Sequence, residues 1–417
     1  GSTATSNTVQ LTNAAVGGTV TGGMVGTAAG GTDNTLRVKG NSTAPQMNGF
    51  QKFHFDLAGA STATPMLGIT GTARTWLDWA QLTTDGSGAG VTLLSNPHGL
   101  DVANYTGAIT TTTDTTERNI DTDTHSDTNV TSIRAESYQF AGVTAPVTPT
   151  GDVNGYGGIS RAGNSTRNNA VELSSGSYAD FYGGHTSGAG TTQTDKNDSH
   201  DNTVTVKSGV TVTNVYGGFA ANGAATKNTV HIDGAHVAGR VVGGRGTTAN
   251  DNTVQLTNAS IGGVVVGGLA SEANGASGNT LVVKGNNTAY QIEGFQKYRF
   301  DLTGANAATP MLSLASGGGT GIDWAQLSVE GSGTGITLLH NANGITVNGL
   351  AADDNILKSE ADATTEKNIA AHRTGSNITD IRYEGWQFAG VTTPVIIGTD
   401  AYGGISRAGN STHDNVI

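Results

Sequence analysis

Apolar residues recur along this chain at alternate positions, in short runs that return every two dozen residues or so. Val204 and Val206, Val230 and Ile232, Val254 and Leu256, and Leu281 and Val283 form four such pairs. The residues between them are Thr205, His231, Gln255 and Val282, three of which are polar. Alternation with period two predicts a β-strand with one buried face. Each run follows an Asn, at Asn202, Asn228, Asn252 and Asn279, spaced by 26, 24 and 27 residues. Asn7, Asn34 and Asn169 open further runs of the same kind. A second apolar run ends in a glycine pair at Gly217-Gly218, Gly243-Gly244 and Gly267-Gly268. Asn and paired Gly read as turn residues, because both accept positive φ.

A unit of this size holds only two or three short strands and cannot bury its apolar face alone. Stacking successive coils solves the problem, since equivalent side chains pile into one interior. The predicted fold class is therefore all-β: a parallel β-helix, or β-solenoid, with coils of about 24–27 residues and irregular insertion loops. About 17 coils are expected, each rising about 4.8 Å. Val282 is expected on the outer face, where it could support association of copies.

A longer repeat encloses the short one. Asn7-Thr-Val-Gln-Leu-Thr-Asn13 returns 245 residues on as Asn252 to Asn258. Gly49-Phe-Gln-Lys-Phe53 returns as Gly294 to Tyr298, and Asp78-Trp-Ala-Gln-Leu82 as Asp323 to Leu327. Tyr156-Gly-Gly-Ile-Ser-Arg-Ala-Gly-Asn-Ser-Thr166 returns as Tyr402 to Thr412. This organises the chain into β-helix coils at 1–43, variant coils with a polar loop or arm at 44–150, coils at 151–288, variant coils with a polar loop at 289–397, and the start of the next coils at 398–417. Both ends fall inside the repeat, so the chain reads as a piece of a longer protein. The polar stretches 96–133 and 341–380 read as loops leaving the coils and are the expected contact segments.

Composition removes several classes. The 417 residues include 63 Gly, 7 Pro and no Cys, and only 13% are charged, with a net charge of −12. Nothing is basic enough to track a phosphate backbone, so no nucleic-acid partner is expected. No run of about 18 apolar residues occurs, so no membrane contact is expected within this segment. Without Cys there is no disulfide framework, thiolate metal site or cysteine nucleophile.

Coils of the form Asn-Thr-Val-x-Ile followed by Val-x-Gly-Gly resemble the passenger regions of large bacterial autotransporter adhesins, which are pertactin-like and exported by type V secretion. The module from Gly294-Phe-Gln-Lys-Tyr-x-Phe-Asp-Leu302 through Asp323-Trp-Ala-Gln-Leu327 to Ile336-Thr-Leu-Leu-His-Asn-Ala-Asn-Gly344 carries the same resemblance. The resemblance implies a right-handed parallel β-helix at the bacterial cell surface or outside the cell, anchored to the outer membrane by a region not in this chain.

Little chemistry stands out. A site used in each repeat should survive in both copies, and His54 becomes Arg299 while His98 becomes Asn343. No catalytic group, metal or cofactor is expected. Asp78-Trp79 and Asp323-Trp324 are kept, and two readings apply. The Trp rings can stack on a glycan while the Asp side chains accept hydroxyl hydrogen bonds, or each Trp closes a wide coil while its Asp caps a turn. Asp121-x-Asp123-x-His125-x-Asp127 begins like a calcium loop but lacks the later Gly and Glu. The expected function is a segment of a giant tandem-repeat surface adhesin that presents loops to host or bacterial surface glycans or proteins, with self-association possible. A self-assembling filament, stalk or surface-layer element is one rival, and an exported polysaccharide-degrading enzyme or phage tailspike is the other.

Overall fold

The computed structural model describes residues 3–417 except 87–89, 125, 150–151, 189–196, 273–274, 317–319, 332, 334, 351–355, 362, 398–399 and 408. It is 54% strand and 2% helix, and its parallel coils form a β-solenoid of about 12 turns. The chain divides into two compact units, Gly1–Gln139 and Phe140–Ile417.

In the first unit the strands Thr8–Thr12, Thr35–Lys39, Lys52–Asp56 and Leu82–Asp85 stack in parallel. Their register places Val9, Leu36, Phe53 and Leu82 in one inward ladder. The next positions, Gln10, Arg37, His54 and Thr83, form an outward ladder. Two further sheets complete the coils, with Ser42–Ala44, Leu67–Ile69 and Val91–Ser95 on one and Thr75–Asp78 and Leu100–Ala103 on the other. Buried Phe55, Met66, Leu77 and Leu93 fill the interior.

The second unit repeats the design over more coils. Seven parallel strands run from Ala170–Leu173 to Leu327–Glu330, in register through Val171, Val204, Val230, Val254, Leu281, Tyr298 and Leu327. A second face holds Ser177–Thr186, Thr211–Ala220, Val241–Gly246 and Val264–Ala270.

Asn and Gly play a different part from the turns expected of them. Asn202, Asn228, Asn252 and Asn279 are fully buried. The amides of Asn169, Asn202, Asn228 and Asn252 each donate to the Asn one coil on, from Asn169 to Asn202 at 2.7 Å through to Asn252 to Asn279 at 3.1 Å. Positive φ belongs to the residue before, as at Asp201, Lys227 and Asp251. The glycine pairs lie in strands. A Cβ on Gly218 would sit 2.4 Å from the Asn228 amide nitrogen, and one on Gly243 would sit 2.5 Å from the carbonyl oxygen of Gly267. The pairs are glycine because the buried Asn ladder and the next coil's backbone occupy the space a side chain would take. Gln51 and Gln296 end the ladders, accepting from Asn34 N at 3.0 Å and Asn279 N at 2.9 Å. This explains why Gly-Phe-Gln-Lys occurs in both repeats.

Three further expectations change. The stretch 96–133 is not a free arm. Ile109–Thr112, Thr116–Thr122 and Ser132–Gln139 form an antiparallel sheet, and the last of these pairs antiparallel with Val91–Ser95. Ile120, Val130 and Ile133 join the core. In the second unit Ile356–Ala361, Thr365–Thr374 and Asn377–Gln387 do the same against Ile336–Asn341. These extensions take up chain without adding turns, which is why about 12 coils form rather than 17. Finally, Val282 is only 6% exposed, because it lies in register between the long side chains of Gln255 and Arg299.

Candidate functional site

In the kept Asp-Trp pairs the ring is buried and the Asp is half-buried. Asp78 caps the short 3₁₀ turn Trp79–Gln81 by accepting from Ala80 N at 3.1 Å, and Asp323 accepts from Ala325 N at 3.0 Å. Trp79 is 1% exposed and Trp324 6%. The Trp79 indole donates to Gly107 O at 2.9 Å and packs on Tyr105, with ring centres 4.9 Å apart. The surface-platform reading of Trp79 and Trp324 is therefore corrected: neither ring offers a free face. Leu77 and Leu82 flank Trp79 on the apolar phase of their strands, so the indole turns inward with them. The exposed indole is Trp76, at 47%, on the outward phase of its strand. Its counterpart in the second repeat is Gly321.

A buried carboxylate escaped the sequence reading. Glu366 accepts from Asn368 Nδ2 at 2.9 Å, Ser406 Oγ at 2.7 Å, Asn410 Nδ2 at 2.9 Å and the Arg407 backbone N–H. Burial works to raise its pKa, but these donors outweigh it and hold the carboxyl below its ordinary value. Arg407 lies 4.0 Å over the Trp386 ring and 3.8 Å from Glu384, which also contacts His372 at 2.9 Å. The cluster fastens the extension to the loop that opens the next coils. The available signal was repetition, since Glu366-x-Asn368 occurs earlier as Glu117-x-Asn119. A saturated, acid-shifted carboxylate is suited to holding structure rather than to delivering protons.

The second face of the second unit carries an aromatic seam. Tyr182 stacks between Tyr156 and Tyr216, at 5.5 and 4.8 Å, and His185 stacks on Phe219 at 4.7 Å. Tyr156 donates to Asp152 at 2.8 Å and Tyr182 to Asp180 at 3.0 Å. Burial first, then Asp152, pushes the Tyr156 phenol up to about 12. Burial lowers His185 to about 4, so its ring is neutral at neutral pH. The rings cover one another's faces, so the seam fills itself.

The open polar site lies on the outward ladder of the first unit. Thr8, Thr35, Arg37, Lys52, His54 and Gln81 line a groove of about 410 Å³. His54 contacts Asp85 at 2.9 Å and Thr83 Oγ1 at 3.0 Å. Lys52 pairs with the exposed Asp33 at 3.0 Å, while Arg37 stands 4.0 Å from Asp85. The groove exists because four parallel strands hold their outward residues in register, which makes a pattern of single residues into a surface. Asp123 of the acidic run bonds Thr131, Asp121 accepts from Tyr105 at 2.8 Å, and His125 lies outside the described residues.

No protein family, curated protein or solved structure matches this chain. Among the described residues, no helix is long and apolar enough to cross a membrane.

Proposed function

We propose that this chain is a segment of a tandem-repeat bacterial surface adhesin, anchored to the outer membrane by a region outside this segment. Its solenoid coils serve as a scaffold, and their outward ladders make contact with surface glycans or proteins. One observation carries the reading. Between repeats the interior is retained, as in Leu36/Leu281, Val38/Val283, Phe55/Phe300 and Trp79/Trp324, while several outward positions change, as in Arg37/Val282, His54/Arg299 and Trp76/Gly321, and others keep their polar residue. A scaffold under packing constraint with a face free to change suits recognition, and repeating it multiplies weak contacts. The reading assigns no catalytic step. The test is to couple the purified chain to beads and count attachment to mammalian and bacterial cells against uncoated beads. Attachment that free chain competes away supports the proposal. Absence of attachment, with filaments forming in electron micrographs as concentration rises, would move the assignment to a structural element. Release of reducing ends from a polysaccharide panel would make it an enzyme.

A further inference from the structure

Building on the surface-contact reading, we propose that the groove of the first unit binds carboxylated sugar residues of an acidic polysaccharide, with Arg37 receiving the carboxylate and Lys52 beside it. Its volume, about 410 Å³, suits one or two sugar rings. Arg37 is 48% exposed, and its acidic neighbour lies at 4.0 Å, beyond hydrogen-bond reach. Asp85 is instead in closer contact with His54, at 2.9 Å. The planar guanidinium fork thus remains available for two parallel bonds to a carboxylate. The Lys52–Asp33 pair is exposed on both sides and holds its partner weakly. Thr8, Thr35 and Gln81 add hydroxyl and amide groups suited to sugar hydroxyls. Arg37 and Lys52 stand over a row of hydroxyls, with Asp85 and Asp33 as the acids beside them.

The second repeat keeps most of the same polar set, although its guanidinium, on Arg299, lies 3.5 Å from Glu330. Thr253, Thr280, Lys297 and Gln326 stand where Thr8, Thr35, Lys52 and Gln81 stand in the first. Arg37 is replaced by the buried Val282, yet its register partner changes from His54 to Arg299. The guanidinium has moved one coil along the same outward ladder, so each repeat keeps one Arg and one Lys among the same polar residues. Asp33, the partner of Lys52, becomes Gly278, which leaves Lys297 without that acid.

The test is calorimetric titration of the full chain with short oligogalacturonate, with its methyl ester, and with oligosialic acid. Binding of a charged oligomer, none of the neutral ester, and loss of affinity in raised salt are expected. The two charged arms separate uronate from sialate as the source of the carboxylate. Arg37→Gln should weaken binding about tenfold or more, and Arg37→Lys should restore it only in part. Combining Arg37→Gln with Arg299→Gln should abolish it. Both side chains are exposed, and an unchanged melting curve confirms that the variants fold. Equal binding of acid and ester, binding of neither charged oligomer, or unchanged affinity in the double variant overturns the proposal. Bead attachment separates the two readings: cells adhering equally to wild type and double variant sink the groove alone, whereas no attachment by wild type sinks the surface-contact reading as well.

Discussion

The coil stacks and the antiparallel extensions are built from the same residues by opposite rules. In the coils, a buried Asn recurs at one position, and its partner is its own equivalent one coil away, as Asn228 bonds both Asn202 and Asn252. In the extension of the second unit, buried Glu366 is satisfied by four different groups, three of them about 40 residues further along the chain. A coil is stabilised by repetition and tolerates its own duplication. An extension is stabilised by one particular set of partners, and it is where the periodic ladder stops and restarts. The glycines divide in the same way. Gly243 is required by crowding at ordinary φ, whereas Gly375 in the extension has φ +63° with nothing within 4 Å of a Cβ.

The sharpest break in this comparison is Gly243→Val, which drives a side chain into the next coil's carbonyl. It should cost roughly 3–5 kcal/mol, while Gly375→Asn, which suits left-handed backbone, should cost less than about 1 kcal/mol. Thermal unfolding followed by circular dichroism distinguishes them, and equal losses would remove crowding as the reason for the glycine pairs. Trp79→Ala should destabilise by about 3–5 kcal/mol and Trp76→Ala by less than about 1 kcal/mol, as buried and exposed indoles should. A reversed order would mean that Trp76, not Trp79, holds its coil.

Asn228→Ala deletes donors and acceptors from the middle of the ladder and should cost about 2–4 kcal/mol. The loss should appear as faster hydrogen exchange at the Val204, Val230 and Val254 amides, with the extension unaffected. If exchange quickens equally in the extension, coils and extension are one cooperative unit.

Glu366→Gln should cost a smaller amount, about 1–3 kcal/mol, and loosen the Ser406–Asn410 loop specifically. Because the folded carboxyl sits below its ordinary value of 4.5, its contribution is present above that pH and fades as pH falls through the lower folded value. The Gln variant should therefore flatten the acid limb of stability against pH.

At neutral pH the smallest effect belongs to His185, whose contribution changes only in acid. Its folded value is lowered from 6.5 to about 4, so the unfolded chain takes up the proton first. Stability should be undiminished above pH 6.5 and decline between 6.5 and about 4. His185→Phe should remove that slope, and a proton titration by NMR giving an ordinary imidazole value would show that the seam is open to water.

How far the chain could be read depended on the range of each signal. Alternation at Val204 and Val206 is a property of neighbouring residues, and its return near every 26 residues identifies the stack, so strands and fold class followed directly. Val282 broke the pattern and was placed by position alone, but its exposure depended on Gln255 and Arg299 beside it in the ladder. The Asn and Gly signals were visible as a repeat, yet their joint meaning lay in a contact between residues of adjacent coils. The extensions are not legible in the sequence because Ile120, Val130 and Ile133 are scattered among Thr and Asp, too sparse to betray a buried face.

What this sequence determined by itself is the all-β solenoid, the spacing of its most regular coils and the register of their inward residues. Those depend on a period of two within strands and a steady return between them. The tertiary structure alone decided that Trp79 is buried and Trp76 exposed, that Glu366 holds the restart of the coils, and that Arg37, Lys52 and His54 share one groove. Each of these depends on which residue of another coil or extension lies alongside, and a one-dimensional pattern does not carry that information until the chain has folded.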